Sequence, residues 1–208
     1  MKLVRFNGGR VGVVRGELII DVTAAAQIQP NEFPPVGMNR LIADFAAHRS
    51  ALETARGAQR PINSVRVETP VPWPNKLIAF PINFKAHGEE IVSARKALMT
   101  RGFFLRAPSA LSGASEPIML PDLPQHQIHQ EAEIGIVIGR KCRHVSRSDA
   151  SAVMTVYPGD IIFGGTPAGI SPIQAGDIVT IEIEQIGRMA IPVIQGRGGG
   201  NSAFEGFD

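Results

Sequence analysis

The 208-residue sequence has a single cysteine, Cys142, which excludes an intrachain disulfide framework and any cysteine-built zinc cluster. It also lacks charge of one sign. Its 21 Lys and Arg face 19 Asp and Glu, and a surplus of +2 creates no field able to gather phosphates along a groove. No nucleic-acid partner is therefore expected. No apolar run nears the roughly eighteen residues of a membrane span, so no membrane partner is expected either. The opening Met1–Asn7 has no apolar leader region, and the expected location is cytoplasmic. What is plentiful is turn-forming: 22 Gly and 16 Pro point to short elements and a β-rich chain. With 44% apolar and 19% charged residues the balance is globular. The length suits one ordinary domain or one with a small appendage, burying roughly 70% of its unfolded surface.

Residues 3–22 read as a β meander. Leu3–Phe6 runs into Asn7-Gly8-Gly9, a hairpin signal because Asn and Gly accept positive φ. Val11–Val14, a turn at Arg15-Gly16 and a third strand over Leu18–Val22 follow. Leu41, Phe45, Leu52 and Ala55 predict one helix within 38–57. The proline-rich stretch 58–75 reads as a connector with one strand at Val65–Val67, and a boundary falls near residue 70. Beyond it, Lys76–Phe80 predicts a buried strand, 84–99 a helix, 117–124 a loop, and 128–139 one continuous strand. Gly-Asp turns follow at Gly159-Asp160 and Gly176-Asp177, and Thr180–Glu184 alternates as a half-buried strand. The triple glycine Gly198–Gly200 lacks a strand–turn–helix context and reads as a flexible tail.

Three groupings carry possible chemistry. In His129-Gln130-Glu131-Ala132-Glu133, a strand would put His129, Glu131 and Glu133 on one face and Ile134, Ile136 and Ile138 on the other. Two carboxylates that close repel, and a hard divalent ion with oxygen preference relieves the repulsion. The plain alternative is a solvent-facing sheet. His87 and Glu90 are three apart, neighbours on a helix face, where a carboxylate can orient an imidazole as a general base. A surface pair is the alternative. Gly164-Gly165-Thr166-Pro167-Ala168-Gly169 can offer N–H groups and a hydroxyl to a carboxylate, or be a plain connection. A zinc site from His126 and His129 with the two glutamates is weaker, and the Ser93-x-x-Lys96 match is chance, since its partner motifs are absent.

In order, four blocks resemble the fumarylacetoacetate hydrolase family: Lys76–His87, with its Asn-aromatic-x-x-His turn; Phe104–Ala110, where Lys more often stands at Arg106; Glu131–Gly139; and Tyr157–Gly169. The match covers most of 76–194, and the leading meander resembles the small domain some members carry. The resemblance implies an α+β, β-rich fold: a small N-terminal β domain over 1–70 and a mixed β-sandwich or β-roll catalytic domain over 71–208. It implies Glu131 and Glu133 as ligands of Mg²⁺ (Mn²⁺ or Ca²⁺ being possible), His87 and Glu90 as a water-activating pair, and Arg106, Gly165 and Thr166 as substrate-binding residues. The implied enzyme is a homodimer acting on a small oxo acid of aromatic catabolism, cleaving a carbon–carbon bond in an acylpyruvate or β-diketo acid. The same electron sink serves decarboxylation, hydroxymuconate-type isomerisation and sugar-acid dehydration.

One departure stands out. The family places several dozen residues between the Asp-Ala resembled by Asp149-Ala150 and the Pro-Gly-Asp turn, bringing a third metal carboxylate and a substrate-contacting Lys. Here Ser151–Thr155 follows at once. The well-kept flanks favour a segment that exists in the protein over a true deletion. A deletion would favour a non-catalytic oxo-acid-binding member.

Overall fold

The meander forms because its turns are built from residues that tolerate the left-handed region. Asn7 (φ 42°), Gly8 (φ 81°) and Gly9 (φ 91°) carry the chain from β1 (Lys2–Phe6) into β2 (Arg10–Arg15), and Gly16 (φ 59°) turns it into β3 (Leu18–Asp21). In this computed structural model, which describes residues 1–91, 102–123, 126–143 and 154–196, those strands join two short ones. β4 (Gln59–Pro61) and β5 (Val67–Glu68) close a five-stranded antiparallel sheet of order β4-β3-β2-β1-β5. Pro61 sits on the edge strand, where its missing N–H costs no ladder bond. The connector thus holds two strands where the sequence suggested one, paired by partners 39 or more residues away that local signals do not register.

Two helices cover this sheet, α1 (Gly37–Ala43) and α2 (Phe45–Thr54), in place of the single expected one. Asp44 breaks the run with φ −118° and ψ 33°, consistent with a weak interior helix residue. Both halves still bury the expected leucines. Leu41 and Leu52 pack with Val11, Val13, Ile20, Val22, Ala26 and Met38.

The second half is organised about β6 (Leu77–Ala79), fully buried as its apolar sequence requires. β6 lies parallel to β11 (Ile161–Phe163) and antiparallel to β7 (Phe104–Arg106); β10 (Gly135–Val137) flanks β11, giving the order β10-β11-β6-β7. Leu77 and Ile161 join Val71 in a second core, against which Ile42 of α1 also packs. β8 (Ile118–Leu120) pairs with β14 (Gly187–Gln195), itself antiparallel to β13 (Ile178–Ile183), so the expected 117–124 loop contains a strand recruited by a distant partner. β13 keeps the expected alternation of half-buried and exposed residues.

The single strand expected over 128–139 is two. β9 (Ile128–Gln130) pairs with β12 (Ser171–Ile173), whereas β10 pairs with β11, and the chain changes sheets across residues 131–134. The shared-face argument therefore does not run through the segment, and Ile134 and Ile136 are exposed rather than core. α3 (Lys85–Ile91) accounts for the first part of the helix expected over 84–99. The remainder of that helix, Ser93 and Lys96, Asp149-Ala150 and Gly198–Gly200 lie outside the described residues.

A buried carboxylate ties the first sheet together. Glu68 accepts the N–H groups of Gly8 (2.7 Å) and Gly9 (2.9 Å) and pairs with Arg66 (2.7 Å) and Arg5 (3.0 Å), clamping the β1–β2 turn to β5. Burial alone would raise its carboxyl, but the Gly8 hydrogen bond, Arg66, Gly9 and the Arg5 charge outweigh it, and the group is held below the ordinary Glu value of 4.5. Such a group stabilises the fold above that value, and the contribution is lost as pH falls through the lowered folded value. Glu68→Ala, which strands the arginines around a partly buried site, is expected to cost about 3 kcal/mol at pH 7. Urea melts from pH 7 down to acid should show the wild-type advantage over Glu68→Gln shrinking below pH 4.5.

Candidate functional site

The β6–β11 pair positions the residues that carry chemistry. β6 runs through Asn83 into α3, which presents His87 and Glu90; β11 runs into Gly164–Thr166; residues 131–134 enter β10 on one side and Arg106 ends β7 on the other. The two strand exits are tied to each other, since the Asn83 amide donates to the Gly164 carbonyl oxygen at 2.8 Å.

His87 is 1% exposed. Its Nδ1 lies 3.3 Å from Glu90 Oε2, and a carboxylate only accepts, so Nδ1–H is the donor and the neutral ring keeps its lone pair on Nε2. That Nε2 is buried with no hydrogen-bond partner, and it faces Glu131 Oε1 at 3.7 Å. Both facing atoms are acceptors, which is why they do not pair. A proton donor set beside them, such as a water, satisfies both. Glu90 has a second task, accepting the Gly169 N–H on Oε1 at 2.8 Å, so one carboxylate holds the imidazole and the end of the Gly-Gly-Thr turn.

Glu133 hangs on the same turn. The β10–β11 ladder continues past its ends through the Gly164 N–H to Ile134 oxygen bond (3.0 Å), and the next N–H, of Gly165, donates to Glu133 Oε2 at 2.6 Å. Oε1 lies 3.5 Å from Arg106 Nη2. The Arg106 guanidinium sits 5.5 Å from the ring centroids of both Phe104 and Phe163. Thr166, which follows Gly165 in the chain, is buried. The structure thus gathers His87, Glu90, Glu131, Glu133, Arg106, Gly165 and Thr166 into one region. His129 stays apart, exposed on β9 opposite Pro172, and the weaker zinc grouping is not assembled.

Sequence reasoning did not single out Asn83 or Asp160. Asp160 is fully buried: it accepts the N–H groups of Lys76 (2.8 Å) and Tyr157 (2.9 Å), with the Lys76 ammonium at 3.4 Å. Only their places inside the Asn-aromatic-x-x-His and Pro-Gly-Asp blocks could have marked them. A hollow of about 720 Å³ elsewhere, lined by Leu120, Asp122, His126, Ile173, Gln174 and Asp177 among others, holds none of the clustered residues. Asp177, one of its two carboxylates, is already tied to the Gln174 N–H. The orphaned imidazole nitrogen marks the cluster, not the hollow, as the candidate site.

For a divalent ion the donors present are of the right kind. Glu131 is 40% exposed and makes no hydrogen bond to another described residue, and Glu133 offers Oε1. Among the described residues no three His, Cys, Asp or Glu side chains converge on one point. Mg²⁺-like ions are commonly held by one or two carboxylates, with water and substrate oxygens completing the shell, and this pair fits that mode.

Gly165 is required at its position. It has φ +81°, and a side-chain carbon there would sit 3.0 Å from Asn83 Cβ. Gly165→Ala is expected to cost about 1–3 kcal/mol and to loosen the Glu133 contact. Thermal melts check the first effect, and a crystal structure of the variant checks the Gly165–Glu133 distance.

Comparison with known proteins gives the chain a family. The model of the fumarylacetoacetate (FAA) hydrolase C-terminal family matches residues 76–153 and 148–194. The chain is 29% identical over 285 residues to the maleylpyruvate hydrolase of Aquipseudomonas alcaligenes, covering 93% of this chain and 99% of that one. It superposes with a TM-score of 0.85 and 35% identity on the maleylpyruvate hydrolase of Sphingobium sp. SYK-6, solved with manganese(II) and pyruvate, over 95% of this chain and 100% of that one. The human mitochondrial oxaloacetate tautomerase is 28% identical over 165 residues, 73% of this chain and 49% of its own length. The alignment to the A. alcaligenes enzyme is longer than the 208 residues here, and the family match is broken at 148–153, where the resemblance implied a further segment. Matched over more than half its length and in the blocks that build the cluster, the chain belongs to the fumarylacetoacetate hydrolase family, and with it to a group of carbon–carbon hydrolases.

Proposed function

We propose that the chain hydrolyses an acylpyruvate, splitting the carbon–carbon bond between the distal carbonyl and the pyruvate methylene. The observation that carries this reading is the His87 ring: Nδ1 committed to Glu90, Nε2 a free acceptor facing Glu131. A water set against Nε2 gives up a proton there as its oxygen adds to the distal carbonyl carbon. Glu90 holds the imidazolium that results. The carbon–carbon bond then breaks, its electron pair staying with the pyruvate half as an enolate, while the acyl half leaves as a carboxylic acid. A proton returns to the enolate carbon and yields pyruvate, so the reaction consumes one water and needs no oxidant.

Glu131 and Glu133 would hold the divalent ion, Mg²⁺ by the resemblance or Mn²⁺ as in the Sphingobium structure. Its chemistry, when bound, is to stabilise negative charge that develops on the 2-oxo oxygen. Thr166, the Gly165 segment and Arg106 receive the substrate carboxylate. Within the same reading the chain works as a cytoplasmic homodimer on a small oxo acid; no helix among the described residues is long and apolar enough to cross a membrane.

A panel of acylpyruvates, maleylpyruvate included, assayed with and without EDTA tests this. Activity is expected to vanish with the chelator and return with Mn²⁺ or Mg²⁺, and His87→Ala is expected to lose roughly 10²–10⁴-fold in kcat. Turnover indifferent to EDTA would remove the metal from the mechanism, and a fully active His87→Ala would remove the base. A second reading has its own observation: with two candidate metal carboxylates in the cluster among the described residues and the family match broken at 148–153, the chain would bind oxo acids without turning them over. Calorimetric binding of pyruvate with no product formed on any member of the panel would favour it. Decarboxylation or tautomerisation, as the human relative's name suggests for that protein, would appear as turnover without acyl-acid release.

A further inference from the structure

We propose that Arg106 is the internal counter-ion of Glu133, and that a divalent cation enters the Glu131–Glu133 pair by displacing it. The proposal rests on the reading of those two glutamates as the metal pair and adds what this chain's own arginine does to it. Glu133 is nearly buried, with a side-chain exposure of 10%. Its Oε2 already accepts the Gly165 N–H at 2.6 Å, which leaves Oε1 as the less committed oxygen for meeting a cation. Arg106 Nη2 holds that atom, at 3.5 Å.

The arginine is built to stay there and able to leave. Its guanidinium is flanked by Phe104 from its own strand and Phe163 from β11, each 5.5 Å away, a stacking that a lysine's compact ammonium would not reproduce. Yet it is 43% exposed and ends β7, an edge strand, so its side chain can withdraw without breaking the ladder. Among the described residues Glu131 has no such cationic partner: the group facing it is the His87 nitrogen. The two glutamates are therefore unequal, one open and one already neutralised. By linkage, whatever the guanidinium gains from Glu133 is subtracted from the affinity of a competing cation.

Mn²⁺ binding to the full chain, followed by the electron paramagnetic resonance signal of free Mn²⁺, tests this without reference to activity. Arg106→Gln is expected to bind about fivefold more tightly than wild type, the upper range for a partly exposed ion pair. Arg106→Lys, which keeps the charge, should stay within about twofold of wild type. Glu133→Gln should bind at least about tenfold more weakly, since it removes a charged ligand. Unchanged or weaker binding by Arg106→Gln, with Glu133→Gln still impaired, overturns the counter-ion alone. Equal tightening by Arg106→Lys also overturns it, because bulk rather than charge would then be at work. Wild-type affinity in Glu133→Gln overturns the metal pair itself. Should Arg106→Gln fail to give a wild-type melt, the Arg106 Nε resonance of the wild-type chain decides. It should move on saturation with Mg²⁺, and a resonance that stays in place refutes displacement.

Discussion

The candidate site depends on one buried carboxylate outside it. Asp160 stands at the head of β11 with no solvent exposure, and its two oxygens accept main-chain N–H groups from Lys76, at the start of β6, and from Tyr157, in its own turn, with the Lys76 ammonium close by. A buried carboxylate is tolerated only when its charge is met this way. Here meeting it sets the parallel register in which Ile161 lies opposite Leu77. From that register follow the exits of both strands, Asn83 at one and Gly164 at the other, and their mutual hydrogen bond. The imidazole and the Gly-Gly-Thr turn are brought together because the two strands they follow cannot slide. The preceding Gly159 serves the same end: at φ 88°, any side chain there would collide with the Asn39 amide of α1.

What could be read from the sequence was what local chemistry dictates. Asn7-Gly8-Gly9 specifies its hairpin, the apolar run at Leu77–Ala79 its buried strand, and the alternation over 180–184 its half-buried one. What could not be read was set by partners far along the chain. Ile118–Leu120 becomes a strand because β14 lies beside it, and residues 128–139 divide because β12 claims one end and β11 the other. The same limit applied to the site. The i, i+3 spacing of His87 and Glu90 translated directly into a contact, since one helix carries both. The Glu131–Glu133 pairing was argued from a strand that does not continue through them. The two residues nevertheless reach the cluster, because the link between two sheets delivers one to His87 and the other to the Gly165 N–H. Ordered motifs pointed to the two glutamates that meet in the cluster, where the geometric argument for their pairing failed.

The arrangement also accounts for how carboxylates coexist in so small a space. Glu90 is occupied twice, by His87 and the Gly169 N–H; Glu133 is occupied twice, by the Gly165 N–H and Arg106; Glu131 alone is left with an acceptor opposite it. Among the described residues, hydrogen-bonding capacity in the cluster is therefore met everywhere except at the Glu131–His87 gap. The His87 Nε2 end of that gap is buried without a hydrogen bond, and such an open acceptor has value where a proton or a cation must arrive and leave. Glu68 and Asp160, by contrast, are each met by main-chain N–H donors elsewhere in the same chain. The contrast between those satisfied carboxylates and the open one facing His87 is what makes the cluster the candidate site.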